Sequence, residues 1–220
     1  GAMNTFALFI LPLGTVFIVS SYSSQLYGRG DLSGARRHGF YGLGVAAATQ
    51  LVGVAGIPFL DLALAGLDFA PDVRGMLGDY LAIRLWSGGA AVGIEALANY
   101  YGGLGNTRLP MRASVAAMVL NVAGNWLLID GHLGAPALGV RGAALASALS
   151  TAAAFLGLLL VFLRERDPAG ARWPGLRLAE FTRMLRFGLP SGLNWFFEFA
   201  AFMFFVNVVA GLAENAGHHP

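Results

Sequence analysis

The sequence predicts an all-α integral membrane protein of about six transmembrane helices. Three observations carry that prediction. The 220 residues are 56% hydrophobic and 12% charged, against roughly 25% charged in an ordinary soluble domain, and the mean hydropathy is +0.64. Six stretches stay apolar for the roughly 17 to 25 residues that a spanning helix needs. The 14 basic residues, every one an arginine, fall mostly in the gaps between those stretches.

The six stretches run over residues 5–27, 39–60, 76–101, 113–129, 140–163 and 188–212. Their length and Ala/Leu content specify helices, since a spanning strand would need only about 10 alternating residues. The first carries Pro12 and the last Pro190, each at a place where a freed carbonyl permits a bend. Small residues recur at four-residue spacing, as Gly89 with Gly93 and Gly142 with Ala146 and Ser150. In lipid, where nothing hydrophobic drives helices together, such residues let backbones approach and pack.

Arginine placement orients the bundle. Arg29, Arg36 and Arg37 follow the first stretch, Arg108 and Arg112 the third, and Arg164, Arg166, Arg172, Arg177, Arg183 and Arg186 the fifth; only Arg74 and Arg141 lie in the opposite gaps. The positive-inside rule puts the first set in the cytoplasm and the start of the chain outside. One more helix ahead of residue 5 would restore an inside start, so the chain reads as part of a longer one. The opening Gly-Ala-Met fits an added leader and natural sequence equally, and no signal peptide is expected.

Several function classes drop out. A net charge of +2 spread over loops, without basic patches and interleaved aromatics, argues against nucleic acid. No cysteine is present, and no phosphate-cradling glycine loop ends in lysine, so neither a Cys metal site nor an ATP-driven pump is expected. His38 and His132 are assigned to loops, without zinc-spaced partners. No nucleophile, base and metal set suggests an enzyme. Tyr100, Tyr101 and Trp126 lie near segment ends, where an aromatic belt accounts for them.

The chemistry-bearing candidates are the polar residues inside the spans. Glu198 lies ten residues into the last stretch, about 15 Å deep in a hydrocarbon core of roughly 30 Å. An acid there costs about 2.5 to 3.5 kcal/mol, so a bound ion, proton or substrate is its expected reason; the alternative, a structural pair with arginine, lacks an arginine in the same apolar span. Asn194 shares its face one turn earlier. Asn121 and Asn125 are i and i+4 and present neutral oxygens suited to a hard cation such as Na⁺, or else bond another helix. Ser147 and Ser150 add hydroxyls that could equally bond their own helix. Glu95 is a secondary candidate, about 16 Å along the helix from Arg84 and so out of reach of it.

Four stretches resemble one known family, that of multidrug and toxic compound extrusion (MATE) efflux transporters, in its NorM-like branch. They are SSQLYGRGDLSGARR at 23–37, YYGGLGNTRLPM at 100–111, NVAGNWLLIDGHLGAPALGVRGAALASALS at 121–150 and RFGLPSGLNWFFEFAAFMFF at 186–205. The resemblance implies two six-helix lobes, with the six stretches equivalent to helices 2–7. Residues 1–163 would then be five helices of the N-terminal lobe, 164–187 a cytoplasmic inter-lobe linker, and 188–220 a truncated first helix of the C-terminal lobe. It further implies multidrug efflux by secondary antiport at a bacterial inner membrane, with cationic or amphipathic drugs exchanged for Na⁺ or H⁺ and no cofactor. The family's cation site maps onto Asn121, Asn125, Ser147 and Glu198, while its first-helix acidic residue and five further helices lie outside these residues. Two alternatives accompany this reading: a lipid-linked oligosaccharide flippase of the same broader fold group, and a membrane fragment without transport. The oligomeric state is not readable.

Overall fold

The computed structural model describes residues 2–65, 70–166 and 175–216. Every regular element among them is helical. The helices are α1 (Ala2–Val16), α2 (Ile18–Gly28), α3 (Leu32–Gly56), α4 (Leu60–Ala65), α5 (Pro71–Leu85), α6 (Gly88–Gly103), α7 (Arg108–Ile129), α8 (Val140–Arg164) and α9 (Leu178–Ala216). Helices α1 and α2 form one span, and α5 and α6 make a broken one, bent by 44°. Counted so, six helical segments among the described residues are long and apolar enough to cross a membrane.

The core is built where small residues admit a neighbour. Val16, Val19, Ala46, Val92, Ala96, Leu97, Leu158 and Phe162 are all buried in it, drawn from α1, α2, α3, α6 and α8. A Cβ on Gly42 would lie 2.8 Å from Ala96 Cβ, and one on Gly39 equally close to the Phe162 ring, so both glycines set how near α3 comes to α6 and α8.

Two boundaries differ from the sequence expectation. Helix α3 starts at Leu32 rather than 39, because Asp31 caps it by accepting the Gly34 N–H at 2.7 Å. His38 is therefore not a loop residue: it is buried on α3, stacked on Tyr22 at 4.5 Å. Helix α9 starts at Leu178, ten residues before 188, so the stretch expected to be linker through 187 is helical from 178. Its charges obscured an apolar period at Phe181, Met184, Leu185 and Gly188; Met184 is fully buried. The acid among those charges is tied down: Arg37 Nε donates to Glu180 Oε2 at 2.9 Å, and Tyr41 Oη donates to the same oxygen at 3.2 Å. Tyr100 and Tyr101 belong to the core rather than to a belt.

The break at Trp86–Ser87 frees backbone groups that lipid could not satisfy. Gln50 of α3 meets them from the side, its Oε1 accepting from Gly89 N at 3.0 Å and its Nε2 donating to Leu85 O at 3.2 Å. Beyond the break, Asp79 of α5 accepts Arg141 Nε of α8 at 2.8 Å.

Candidate functional site

The α7–α8 contact is close because Gly124 and Gly142 face it. A Cβ on Gly124 would sit 2.9 Å from Ala146 Cβ, and one on Gly142 would collide with the Leu128 carbonyl. That proximity brings polar side chains of the two helices into bonding range. Asn125 Nδ2 donates to Asn121 Oδ1 at 3.1 Å, and Asn121 Nδ2 donates to Ser147 Oγ at 3.0 Å. The chain of donors stops there, and one acceptor is left over. Asn125 Oδ1 is buried without a hydrogen-bond partner, and an orphaned amide oxygen in a span costs about 1 to 3 kcal/mol unless something positive meets it. Ser150 Oγ and Thr151 Oγ1 both donate to the Ser147 carbonyl, so Ser150 is engaged within its own helix.

Three of the sequence candidates, Asn121, Asn125 and Ser147, are thus joined. Glu198 and Asn194 are not brought to them. Helix α9 packs chiefly on α1, with lesser contacts to α2 and α3. Its packed face is fixed by Gly188 and Gly192, where a Cβ would stand 2.6 Å from Thr15 O and Thr15 Oγ1 respectively, and by Trp195, whose ring lies 4.8 Å from Phe17. At about 100° per residue, Glu198 points roughly 120° away from Gly192 and Asn194 roughly 160°, and both are exposed. Glu95 is half-buried on α6 and takes a 2.8 Å hydrogen bond from Asn99 Nδ2.

The oxygens at hand suit a hard monovalent cation without completing its shell. Asn125 Oδ1 is open, and Asn121 Oδ1 and Ser147 Oγ each keep a lone pair. Among the described residues no group of three His, Asp or Glu side chains converges on one point. What the α7–α8 site offers is therefore neutral coordination, with any neutralising carboxylate coming from elsewhere.

A second polar cluster, which the sequence reading passed over, closes the arginine-rich end. Arg36 is 2% exposed; its Nη2 donates to Phe162 O at 3.2 Å, and its guanidinium lies 5.5 Å from the Phe162 ring centroid and 5.8 Å from that of Phe40. Tyr101 Oη donates to Glu165 Oε1 at 2.9 Å, just past the end of α8. Burial raises the Glu165 carboxyl above its ordinary value, against the Tyr101 hydrogen bond and the Arg36 charge, which pull it down.

Comparison with known proteins follows the same lines. A family model described as MatE matches residues 1–127. The "Probable multidrug resistance protein NorM" of Neisseria meningitidis is 29% identical over 216 residues, covering 94% of this chain and 46% of that protein. The "Multidrug resistance protein PmpM" of Pseudomonas aeruginosa is 29% identical over 224 residues, covering 96% of this chain and 46% of its own. The chain spans about half the length of the curated relatives it matches. Among solved structures, the outward-facing conformation of a multidrug resistance MATE family transporter superposes with a TM-score of 0.78 at 23% identity, covering 95% of this chain and 47% of that one. The inward-facing conformation gives 0.72 at 23% identity, covering 93% and 46%. The helical arrangement is thus shared with both.

Proposed function

Because the chain belongs to the MatE family, we propose that it is the cation-handling half of a secondary multidrug antiporter, in which cationic or amphipathic compounds leave a bacterial cell across its inner membrane in exchange for Na⁺ or H⁺. The observation that carries this reading is the buried, unpartnered Asn125 Oδ1 at the end of the Asn125–Asn121–Ser147 run. A membrane interior keeps such an oxygen when a positive visitor repays it. In this scheme Glu198, exposed and apart from these oxygens here, supplies the charge when α9 turns toward α7 and α8 in the other access state. Proton and Na⁺ compete for its oxygens, and the Asn and Ser oxygens favour the metal ion over the proton. Glu95 and Asn194 act as secondary polar groups on the path.

Exchange requires opposite preferences. The cation must bind one access state more tightly and the drug the other, since a ligand with equal affinity for both shifts nothing. The stretch between the end of α8 at Arg164 and the start of α9 at Leu178 then separates the five-helix part of one lobe from the opening helix of the next.

The test is ethidium movement in vesicles holding the chain, under an imposed Na⁺ or proton gradient, with Glu198→Gln and Asn125→Leu in parallel. Gradient-driven movement that both substitutions abolish supports the reading. Movement that is equal in all three proteins removes both residues from the mechanism, and no movement even when the chain is joined to the rest of a full-length transporter overturns antiport by these residues.

A further inference from the structure

We propose that the crevice between α3 and α9 binds an anionic phospholipid of the arginine-rich leaflet, with one acyl chain in the groove and the phosphate on Arg177. Two cavities of about 360 and 420 Å³ lie along this crevice and meet at Phe181, which lines both. One wall is Gly44, Ala48 and Val52, one turn apart on α3; the other is Phe181 and Leu185 of α9, and Pro12 of α1 lies at its base. Gly44 makes the notch: a Cβ there would meet nothing nearer than the Phe181 ring at 3.9 Å.

The groove asks for hydrocarbon. Its two threonine hydroxyls are already spent, Thr15 on Leu11 O at 2.7 Å and Thr49 on Val45 O at 2.9 Å. An occupant therefore finds no hydrogen bond along its length and contributes only apolar contact. From Tyr41 to Val52 the groove runs about 16 Å at 1.5 Å per residue, close to the roughly 15 Å hydrocarbon depth of one leaflet.

The mouth asks for an anion. Arg177 stands level with Tyr41, because its backbone N–H donates to Tyr41 Oη at 2.8 Å. Its side chain is 70% exposed and reaches Glu180 at only 3.4 Å. Glu180 itself is held by Arg37 at 2.9 Å and by Tyr41, which leaves most Arg177 donors for a phosphate in bidentate geometry. By the positive-inside rule this end faces the cytoplasm, where anionic headgroups attract such side chains. A free phosphate would use the mouth and leave the groove empty, and an uncharged lipid would do the reverse. An anionic phospholipid satisfies both at once.

Native mass spectrometry of the purified full chain in detergent, titrated with phosphatidylglycerol or with diacylglycerol of the same acyl chains, tests this. Expected is one tightly retained phosphatidylglycerol, about tenfold preferred over diacylglycerol, the worth of one charge-assisted contact. Arg177→Gln should remove the preference and leave the weaker common affinity, with Arg177→Lys restoring part of it. Gly44→Leu, placed where there is room for it, should weaken both lipids alike; Val52→Trp fills the far end of the groove if the first variant does not fold. Equal retention of the two lipids by the unsubstituted chain, or retention untouched by Arg177→Gln and by groove filling, overturns the site. Displacement of phosphatidylglycerol by inorganic phosphate also overturns it, since the groove would then contribute nothing.

Discussion

Asn121 of α7 and Ser147 of α8 share a 3.0 Å hydrogen bond across a contact that two glycines hold close. Asn121→Ala and Ser147→Ala should each destabilise the chain, and a double-mutant cycle should return a coupling of about 0.6 kcal/mol, at most roughly 1.7. Unfolding of the four proteins in mixed micelles measures it; additive losses would mean that the bond contributes nothing.

Gly142→Val should push the two helices apart, because the obstacle is the Leu128 backbone rather than a movable side chain. The expected loss is about 1 to 3 kcal/mol. Crosslinking of cysteine pairs placed on α7 and α8 should slow in the variant, and an unchanged rate would show that the glycine does not set the spacing.

Gln50→Leu should strip the break between α5 and α6 of its partners at Gly89 N and Leu85 O. At about 1 to 3 kcal/mol for each unsatisfied group, amide exchange at Gly89 should accelerate by at least about tenfold. Exchange at native speed would mean that another group takes over.

Glu165 gives a pH test. Its raised pKa means that the fold prefers the protonated acid, so its stabilising effect is complete below the ordinary value of 4.5 and is lost as pH climbs through the raised value. Glu165→Gln keeps an acceptor for Tyr101 and removes the charge. The variant should therefore gain stability relative to the unsubstituted chain between about pH 4.5 and pH 7, read from unfolding midpoints at the two ends. A constant difference would refute the burial argument.

The six spans were legible because length and apolarity alone define them, and Asn121 with Asn125 because a four-residue spacing leaves little choice of face. The start of α9 was hidden by charge: Glu180 and Arg183 suggested solvent, whereas the fold binds Glu180 to Arg37 and Tyr41. For Glu198, counting residues fixes depth along the membrane normal but not direction around the helix. The small-residue pair Gly188 and Gly192 held that information, since it marks the packed face and leaves Glu198 off it. Gln50 carried no signal, because a single amide in an apolar run does not say which backbone it will meet.

The two bonds of Gln50 have a mechanical corollary. They tether both sides of one flexure to a single α3 side chain. Asp79 in turn ties α5 to Arg141 at the head of α8, the helix that carries Ser147. Three contacts thus link α3, through α5 and α6, to the helix that carries Ser147.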